Sequence, residues 1–423
     1  MATVSKEFFS SETEFAGRLK ELYGDKAEEF APRFDALSAR FSKSFGVAPR
    51  DFFSSPGRIE IVGNHTDHNA GKVLAAAITV DTLAAVAPRE DGVIEVRSDN
   101  YPPIVVRLDD IAFRAGELGT STALVKGVVD YLVRDGRKVG GFNAYTDSCV
   151  PRGSGVSSSS SFELVIAEIL NNYFNSESLT PVFMAKASQY AENIFFGKPC
   201  GLMDQSAIAL GGVNMIDFKS FENPVIEGAK WTFTDLDIYV VATGGDHSDL
   251  TDDYAAIPAE MKSVAEALGG KLLRDIPASE FYEKESELAG RLPARALSRA
   301  EHYYEENVRV EKAVEALNGG DEQSFLDIVN ASGVSSAEKL KNLYSERGDR
   351  SIVDALGFAG TLDGVAAKRV HGGGFAGTIL LFVKKGSSSA VNDKLNARFG
   401  KENVFRLSIR REGACLVATK ERV

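Results

Sequence analysis

A run of glycine and serine that leads straight into a patterned helix constrains this chain more than any other stretch. The run is Pro151-Arg152-Gly153-Ser154-Gly155-Val156-Ser157-Ser158-Ser159-Ser160-Ser161. Apolar residues then recur at i, i+3, i+4, i+7 and i+8 from Phe162 to Tyr173, so one face of a helix is buried. Glycine lets the backbone approach a ligand closely, and the free N–H groups of a helix N-terminus suit phosphate. The run therefore predicts a phosphate-binding loop. A serine-rich linker is the alternative, but a linker has no reason to lead into a buried helix.

The loop differs from the common nucleotide-binding loop, because the chain contains no Gly-x-x-x-x-Gly-Lys-[Ser/Thr] pattern. A bound phosphate would therefore be held without the lysine of that motif. Serine hydroxyls are suited to capping the helix, to bonding phosphate oxygens or to binding Mg²⁺.

The length of 423 residues favours two domains, and we place the boundary near residue 215, giving units 1–215 and 216–423. The net charge of −12 argues against a general nucleic-acid or anionic-membrane surface. Cys149, Cys200 and Cys415 are scattered and odd in number, which is typical of a reducing compartment, so we expect the cytoplasm.

Hydrophobic patterning predicts a mixed chain in which strands and helices occur in both halves. Helices are predicted at 11–23, 27–45, 121–133, 162–173, 181–196, 258–268, 298–317, 321–330, 336–344 and 387–399. Strands are predicted at 52–62 with a break at Pro56-Gly57, and at 73–87, 93–98, 104–108, 142–146, 213–218, 236–242, 378–383 and 414–418. The first two helices form an N-terminal arm without evident chemistry.

Residues 56–71 concentrate hydrogen-bonding side chains between glycines in one strand and loop. That density is costly in a core and natural in a pocket that recognises hydroxyl groups. The alternative is a solvated hairpin loop, for which Asn-Ala-Gly is a fair turn signal. His65 and His68 lack the helical His-x-x-x-His spacing of a zinc site.

Two further stretches have the composition of a catalytic site. Residues 191–205 offer a helical carboxylate, Glu192, and a second one, Asp204, just past a turn that contains glycine. A metal ligand and a general base would need that arrangement, although either acid on its own is more often a surface residue. Residues 369–378 contain four glycines before a β-rich run, which indicates a tight backbone passage or a plain hairpin turn.

Together and in this order, the four stretches resemble the galactokinase branch of the GHMP small-molecule kinases. The family motif Gly-Arg-x-Asn-Leu-Ile-Gly-Glu-His-Thr-Asp-Tyr-Asn-x-Gly is similar to residues 57–71. Pro-x-Gly-x-Gly-Leu-Ser-Ser-Ser-Ala-Ser is similar to 151–161, Cys-Gly-Ile-Met-Asp-Gln to 200–205, and Gly-Gly-Gly-Phe-Gly-Gly to 372–377. The resemblance implies an α+β, two-domain GHMP kinase fold with the active site in the cleft between the domains.

The resemblance also implies roles for individual residues. Asp204 would take the proton from the sugar's anomeric hydroxyl or only orient that hydroxyl, and Arg58 would steady Asp204 and the transferred phosphoryl group. Ser159 and Glu192 would hold Mg²⁺. The implied sugar ligands are Asn64, His65, Asp67, Gly201 and Tyr254. The implied ATP ligands are Gly153, Ser154, Gly155, Val156, Ser157, Ser158, Ser159 and Ser160.

We therefore expect an ATP- and Mg²⁺-dependent kinase that phosphorylates the C1 hydroxyl of galactose. A kinase for a related sugar, such as galacturonate or an amino sugar, and a non-catalytic sugar and ATP sensor are the alternatives. The expected partners are the sugar and ATP, without nucleic acid or membrane, and we expect a monomer or weak dimer. Asn64 replaces the family glutamate that binds the C6 end of the sugar, so we expect the pocket to tolerate C6 groups, carboxylate included, that a glutamate would exclude.

Overall fold

The computed structural model describes residues 8–9, 11–151, 155–244, 251–344, 349–375 and 377–420. Two β-sheets and several helices make up this part of the chain. Among the described residues, no helix has both the length and the apolar composition that a membrane span requires.

The larger sheet has eight strands and is built around the antiparallel pair β1 and β2. Its strands are β1 (Asp51–Val62), β2 (Lys72–Arg89), β3 (Val93–Ser98), β4 (Ile104–Arg107), β5 (Gly141–Ser148), β6 (Val213–Asp217), β7 (Val225–Ala229) and β12 (Cys415–Thr419). The order is β12-β1-β2-β5-β3-β4, with β6 beside β2 and β7 beside β6. β3 and β5 run parallel and the other neighbours antiparallel.

Helices cover both faces of this sheet at its central strands, as the burial of β1 and β2 requires. On one face, the apolar stripes of α3 (Ser121–Arg134), α4 (Ser158–Asn175), α5 (Pro181–Tyr190) and α6 (Met203–Leu210) form one core with the strands. On the other face lies the N-terminal arm, α1 (Glu12–Tyr23) and α2 (Ala27–Phe45). Alternation along β1 separates the two cores, because Phe52 packs under the arm and Phe53 under the helices.

The smaller sheet is antiparallel and lies in the C-terminal half, with the order β11-β8-β10-β9. Its strands are β8 (Leu236–Ala242), β9 (Val365–His371), β10 (Thr378–Lys384) and β11 (Val404–Leu407). The accompanying helices are α7 (Thr251–Ala267), α8 (Ala278–Leu288), α9 (Ala294–Gly319), α10 (Glu322–Ser335), α11 (Ser351–Ala359) and α12 (Lys385–Phe399). α9 and α10 share a core with residues of both sheets, which joins the two halves of the molecule.

Most predicted elements are present, and three of them differ from the prediction in their bounds or continuity. Pro56-Gly57 does not break β1, because the strand absorbs the pair as a register shift against β2. The helix after the serine run begins earlier than predicted, at Ser158. The helix predicted at 336–344 is shorter than expected: a π-helical turn over Ser336–Leu340 ends at Lys341, which adopts a left-handed conformation with φ of 59°.

The predicted division into residues 1–215 and 216–423 stays a prediction. The strands nevertheless show how the chain crosses that point. β7 and β12 follow residue 215 in the sequence, yet both belong to the larger sheet of the first half. The C-terminal strand therefore ties the end of the chain to β1.

Candidate active site

Arg58 and Asp204 form a bidentate ion pair in the candidate site. Arg58 lies on β1 and Asp204 in the first turn of α6, where a helix favours negative charge. Arg58 Nε donates to Asp204 Oδ1 at 2.8 Å, and Nη2 donates to Oδ2 at 2.7 Å. The Arg58 side chain is 6% exposed and that of Asp204 is 31% exposed, so the arginine is fixed in the protein while the carboxylate reaches solvent.

The phosphate-loop residues that the structure describes are fastened to this ion pair. Arg58 Nη1 donates to the Gly155 carbonyl, and the Ser157 hydroxyl donates to Asp204 Oδ2. Gly155 has a φ of 68°, and a Cβ there would lie 2.9 Å from Thr378 Oγ1, so the tight passage requires glycine. Val156 is buried beneath the loop and anchors it.

The predicted ATP ligands differ in whether the structure describes them and in whether their side chains are exposed. Gly153 and Ser154 lie outside the described residues. Ser158 opens α4, so the N–H groups of its first turn are available to an anion. Ser160 is buried, and within the described chain its hydroxyl has no partner. Contact of the Ser160 side chain with ATP stays a prediction.

The two predicted metal ligands are in contact, with Ser159 on α4 and Glu192 on the turn that follows α5. Ser159 Oγ donates to Glu192 Oε1 at 2.7 Å, and Gln205 Nε2 donates to Glu192 Oε2 at 2.8 Å. Glu192 is nearly buried on a single π-helical turn, Ala191–Phe196, that continues α5. Such turns are frequent at functional sites, because the extra residue redirects side chains.

Glu163 lies one helical turn below Ser159 and is buried with neither carboxyl oxygen bonded to any described residue. Burial and the neighbouring charge of Glu192 raise the pKa of Glu163 well above its usual range. No group of three or more His, Cys, Asp or Glu side chains among the described residues forms a metal cluster. One hydroxyl and one carboxylate fit Mg²⁺ that is shared with substrate phosphates, since Mg²⁺ keeps several non-protein ligands.

The predicted sugar residues other than Asn64 make two sets of contacts, Asp67 with Gly201, and His65 and Tyr254 with the glycines at 373 and 374. Asp67 lies against Gly201, where a Cβ would come within 1.8 Å of Asp67 Oδ2, so glycine leaves room for the carboxylate. Burial, followed by the charge of Asp204, raises the pKa of Asp67 to about 6. His65 Nε2 lies 2.9 Å from the Gly373 carbonyl oxygen, and the Tyr254 hydroxyl donates to the Gly374 carbonyl at 3.0 Å.

Asn64 is placed differently from the other predicted sugar residues. It is fully buried, and its Nδ2 donates to Glu60 Oε1 at 2.9 Å and to the Gly372 carbonyl at 2.8 Å. Its Oδ1 accepts from Asn342 Nδ2 at 2.8 Å and from Ser336 Oγ at 3.4 Å. The amide is thus wholly engaged by the protein in this structure.

Sequence reasoning missed two side chains of this cluster. Gln205, which directly follows Asp204, positions Glu192, and only its place in the Met-Asp-Gln segment could have indicated this. Glu60 stands two residues after Arg58 on the same strand, and strand alternation alone places both on one face. That signal was available in the sequence.

Comparisons with known proteins show which class of protein has this fold. Residues 39–88 match the galactokinase galactose-binding signature, and residues 123–212 match the N-terminal domain of GHMP kinases. Mevalonate kinase, at 16% identity and a TM-score of 0.59 over 85% of this chain and 98% of that one, shares the fold. The chain therefore has the fold of the GHMP kinases.

Closer relatives define the branch. The galactokinase of Clostridium tetani is 31% identical over 86% of this chain and 92% of its own, and that of Streptococcus mutans is 32% identical over 85% and 91%. The Lactococcus lactis galactokinase complexed with galactose superposes with a TM-score of 0.78 at 26% identity, over 90% of this chain and 99% of that one. The chain belongs to the galactokinase family.

Membership confirms the predicted family, the α+β GHMP fold class and a phosphotransferase that acts on a sugar hydroxyl with ATP. The relatives favour neither alternative, the kinase for a different sugar or the non-catalytic sensor. The roles of the individual site residues stay predictions.

Proposed function

We propose that this protein transfers the γ-phosphoryl group of ATP, with Mg²⁺, to the anomeric C1 hydroxyl of galactose. One observation carries the proposal: the Arg58–Asp204 pair is hydrogen-bonded to Gly155 and Ser157 of the phosphate loop, and Asp204 is close enough to Asp67 to raise the pKa of that carboxyl. A carboxylate, a fixed cation and a phosphate-binding helix N-terminus thus converge where a sugar hydroxyl and a phosphate would meet. Phosphoryl transfer depends mainly on positioning and on neutralising charge, which is what these groups supply.

Each residue has a definite task in this mechanism. Asp204, held by Arg58 and Ser157, accepts the hydrogen bond of the anomeric hydroxyl and either takes its proton or orients it. Arg58 offsets the negative charge of Asp204 and that of the transferred group. The N–H groups at the start of α4 bind phosphate oxygens.

Ser159 and Glu192 would hold Mg²⁺, and Gln205 keeps Glu192 oriented. The ion supplies charge neutralisation at the ATP phosphates. The sugar ring would lie against Asp67, His65 and Tyr254, and Gly201 leaves the space for Asp67. The Lactococcus lactis protein, which was solved with galactose, supports this choice of sugar.

The test measures ADP release by the purified protein with ATP, Mg²⁺ and a panel of galactose, galacturonate and galactosamine. We expect galactose to give the highest kcat/KM and phosphorus NMR to identify a sugar 1-phosphate. The 1-deoxy analogue of galactose, which lacks the reacting hydroxyl, should be inert. ADP release with that analogue, or none with any sugar, would contradict the proposal.

The Mg²⁺ assignment has its own test, because Ser159→Ala and Glu192→Ala should both raise the Mg²⁺ concentration needed for half-maximal activity. Ser161→Ala is the matched control, since Ser161 faces Ser55 and Thr82 in the sheet. An unchanged Mg²⁺ dependence in both variants would place the metal elsewhere. The cytoplasmic location and the monomer or weak dimer stay predictions.

A further inference from the structure

The sugar motif of this chain contains an exchange of two residue types. In the family motif quoted above, asparagine stands at the position of Glu60 and glutamate at the position of Asn64. This chain has the carboxylate first and the amide second. The two side chains are in contact, with Asn64 Nδ2 donating to Glu60 Oε1 at 2.9 Å. The motif therefore keeps one carboxylate, which belongs to Glu60 and lies in contact with the position of the family glutamate.

Asn64 cannot serve as a ligand without giving up protein contacts. An amide offers two donor hydrogens and two acceptor lone pairs. The hydrogens go to Glu60 and the Gly372 carbonyl, and the lone pairs accept from Asn342 and Ser336. Asn64 therefore links Glu60 to the glycine-rich segment at 372–374 through its two donated hydrogen bonds.

Glu60 has the opposite character. On β1, Ile59 and Ile61 face the core between the sheets, so Arg58 and Glu60 share the other face, and no bulge separates them. Glu60 Oε1 accepts from Asn64 and from Arg369 Nη2, the latter at 3.0 Å. In the part of the chain that the structure describes, Oε2 accepts no hydrogen bond.

Glu60 lies beside the proposed site, because it shares a face of β1 with Arg58 and contacts Asn64. Arg369 is fully buried and donates to Glu60. Arg58 and Asp67, which belong to the proposed site, are close enough for their charges to affect the pKa of Glu60. Burial raises the pKa of Glu60 to about 7, although Arg369 and Arg58 oppose the shift. Glu60 is thus a carboxyl with one bound oxygen and one unbound oxygen next to the groups proposed for the sugar.

We propose that Glu60 is a specificity-determining residue that accepts a hydrogen bond from the C6 hydroxyl of the sugar, and that Asn64 is the positioning residue that holds it. The inference rests on the proposed function. It reverses the expectation from Asn64 alone: a carboxylate still faces the C6 end, so a C6 carboxylate should be rejected.

The first experiment compares wild type with Glu60→Gln on galactose and on 6-deoxygalactose at pH 8, where Glu60 is ionised. We expect the KM for galactose to rise about tenfold with kcat nearly kept, because a hydrogen bond to a charged acceptor becomes one to a neutral amide. The KM for 6-deoxygalactose, which has no C6 hydroxyl, should change much less. Calorimetric titration of galactose gives the same comparison without turnover.

Glu168→Gln is the matched control. Glu168 is likewise buried on α4 with a pKa raised to about 7, and its hydrogen bond comes from Asn171. It should leave the ratio of the two sugars unchanged. A ratio that is also unchanged in Glu60→Gln would overturn the inference.

The second experiment restores the family order with the double variant Glu60→Asn, Asn64→Glu. Asn64→Glu alone places two carboxylates in contact and should lower kcat/KM for galactose by about tenfold or more. The double variant should recover most of that loss. A double variant no better than Asn64→Glu would show that the two positions are not coupled and would contradict the exchange.

The outcomes separate this inference from the proposed function. If wild type phosphorylates no galactose, the proposed function fails. If wild type is active but prefers galactose to 6-deoxygalactose no more than Glu60→Gln does, only the role of Glu60 fails. Should Glu60→Gln not fold, equal kcat/KM of wild type for the two sugars would by itself overturn the role.

Discussion

Arg58 holds both oxygens of Asp204, so the carboxylate is oriented before a sugar arrives. Asp204→Asn keeps the shape of the side chain but turns an amide donor towards the guanidinium. We expect kcat to fall by about 10²–10⁴-fold, the usual loss for a positioned base, while binding of an ATP analogue persists. Asp147→Asn is the control, because Asp147 is equally exposed at 31% and is also paired with an arginine, Arg33. Near-normal turnover of a folded Asp204→Asn protein would reject the assignment.

Gly201 makes a second prediction at the scale of one atom. A methyl group there would overlap Asp67 Oδ2 at 1.8 Å, so Gly201→Ala must push the carboxylate aside. We expect the KM for galactose to rise about tenfold or more, which corresponds to one lost charge-assisted hydrogen bond, with ATP affinity unchanged. Gly357→Ala is the control, since nothing lies within 4 Å of a Cβ at Gly357. An unchanged KM for galactose would remove Asp67 from the sugar site.

Much of the candidate site could be predicted from the sequence, because residue types at fixed local spacing carry its chemistry. Ser159, Glu192 and Asp204 each lie in such a stretch, and the structure brings Ser159 into contact with Glu192. The engagement of Asn64 could not be predicted in this way. Its amide is hydrogen-bonded to Asn342, 278 residues away in the sequence, and to Gly372, 308 residues away. Only the fold brings these residues together.

At the scale of elements, Glu306 on α9 holds Gly63, at the start of the loop that joins β1 to β2. Its Oε1 accepts from the Gly63 N–H at 2.9 Å, and its Oε2 accepts from Arg309 Nε at 2.6 Å. Burial alone would raise its pKa, but His302, Arg309 and Arg369 lower it to about 2. Since the folded pKa is below the usual 4.5, the stability that Glu306 contributes is present above pH 4.5 and is lost as the pH falls towards 2.

Glu306→Gln should therefore lower the free energy of unfolding by about 3 kcal/mol at pH 7, because the partly buried Arg309 and the fully buried Arg369 each lose one ion pair. The difference from wild type should shrink as the pH is lowered from 4.5. Urea unfolding at pH 7 and at pH 3.5 measures both. Glu305→Gln, a neighbouring and more exposed change, should have a small effect. A difference that grows in acid would contradict the sign.

Many elements were predicted to within a few residues, but the sparse α8 and the apolar α11 were both missed. α1, α2 and β8 agree with the prediction to within a residue. α8 went unpredicted because it buries only Phe281 and Leu288, seven residues apart, which is too sparse to show a helical period. The helix expected at 336–344 stops early because Lys341 turns and the Asn342 carbonyl accepts from Phe375 N, a tertiary contact.

At the scale of the whole molecule, the return of β12 to β1 was not predictable. The strand itself was expected at 414–418, but its partner, Asp51 to Ser54, lies at the other end of the sequence. Local patterning specifies that a strand forms and leaves open where it pairs. The pairing makes the larger sheet depend on both ends of the chain.

That dependence predicts that the two halves unfold together, although chains of this size commonly unfold through intermediates. The single tryptophan, Trp231, contacts Phe325 and Phe382 beside the smaller sheet, so its fluorescence reports that half. Circular dichroism reports the whole chain. In urea, the two midpoints should coincide.

A destabilising change in the larger sheet tests the coupling directly. Val417 on β12 is buried under the N-terminal arm, and Val417→Ala should lower stability by about 2 kcal/mol. If the halves unfold as one unit, the midpoints of Trp231 fluorescence and of circular dichroism move together by the same amount. Val105→Ala, the same change at a side chain 52% exposed on β4, should move neither by more than about 0.5 kcal/mol. A shift in circular dichroism alone would show that the smaller sheet unfolds independently, and the strand return would then not couple the two halves.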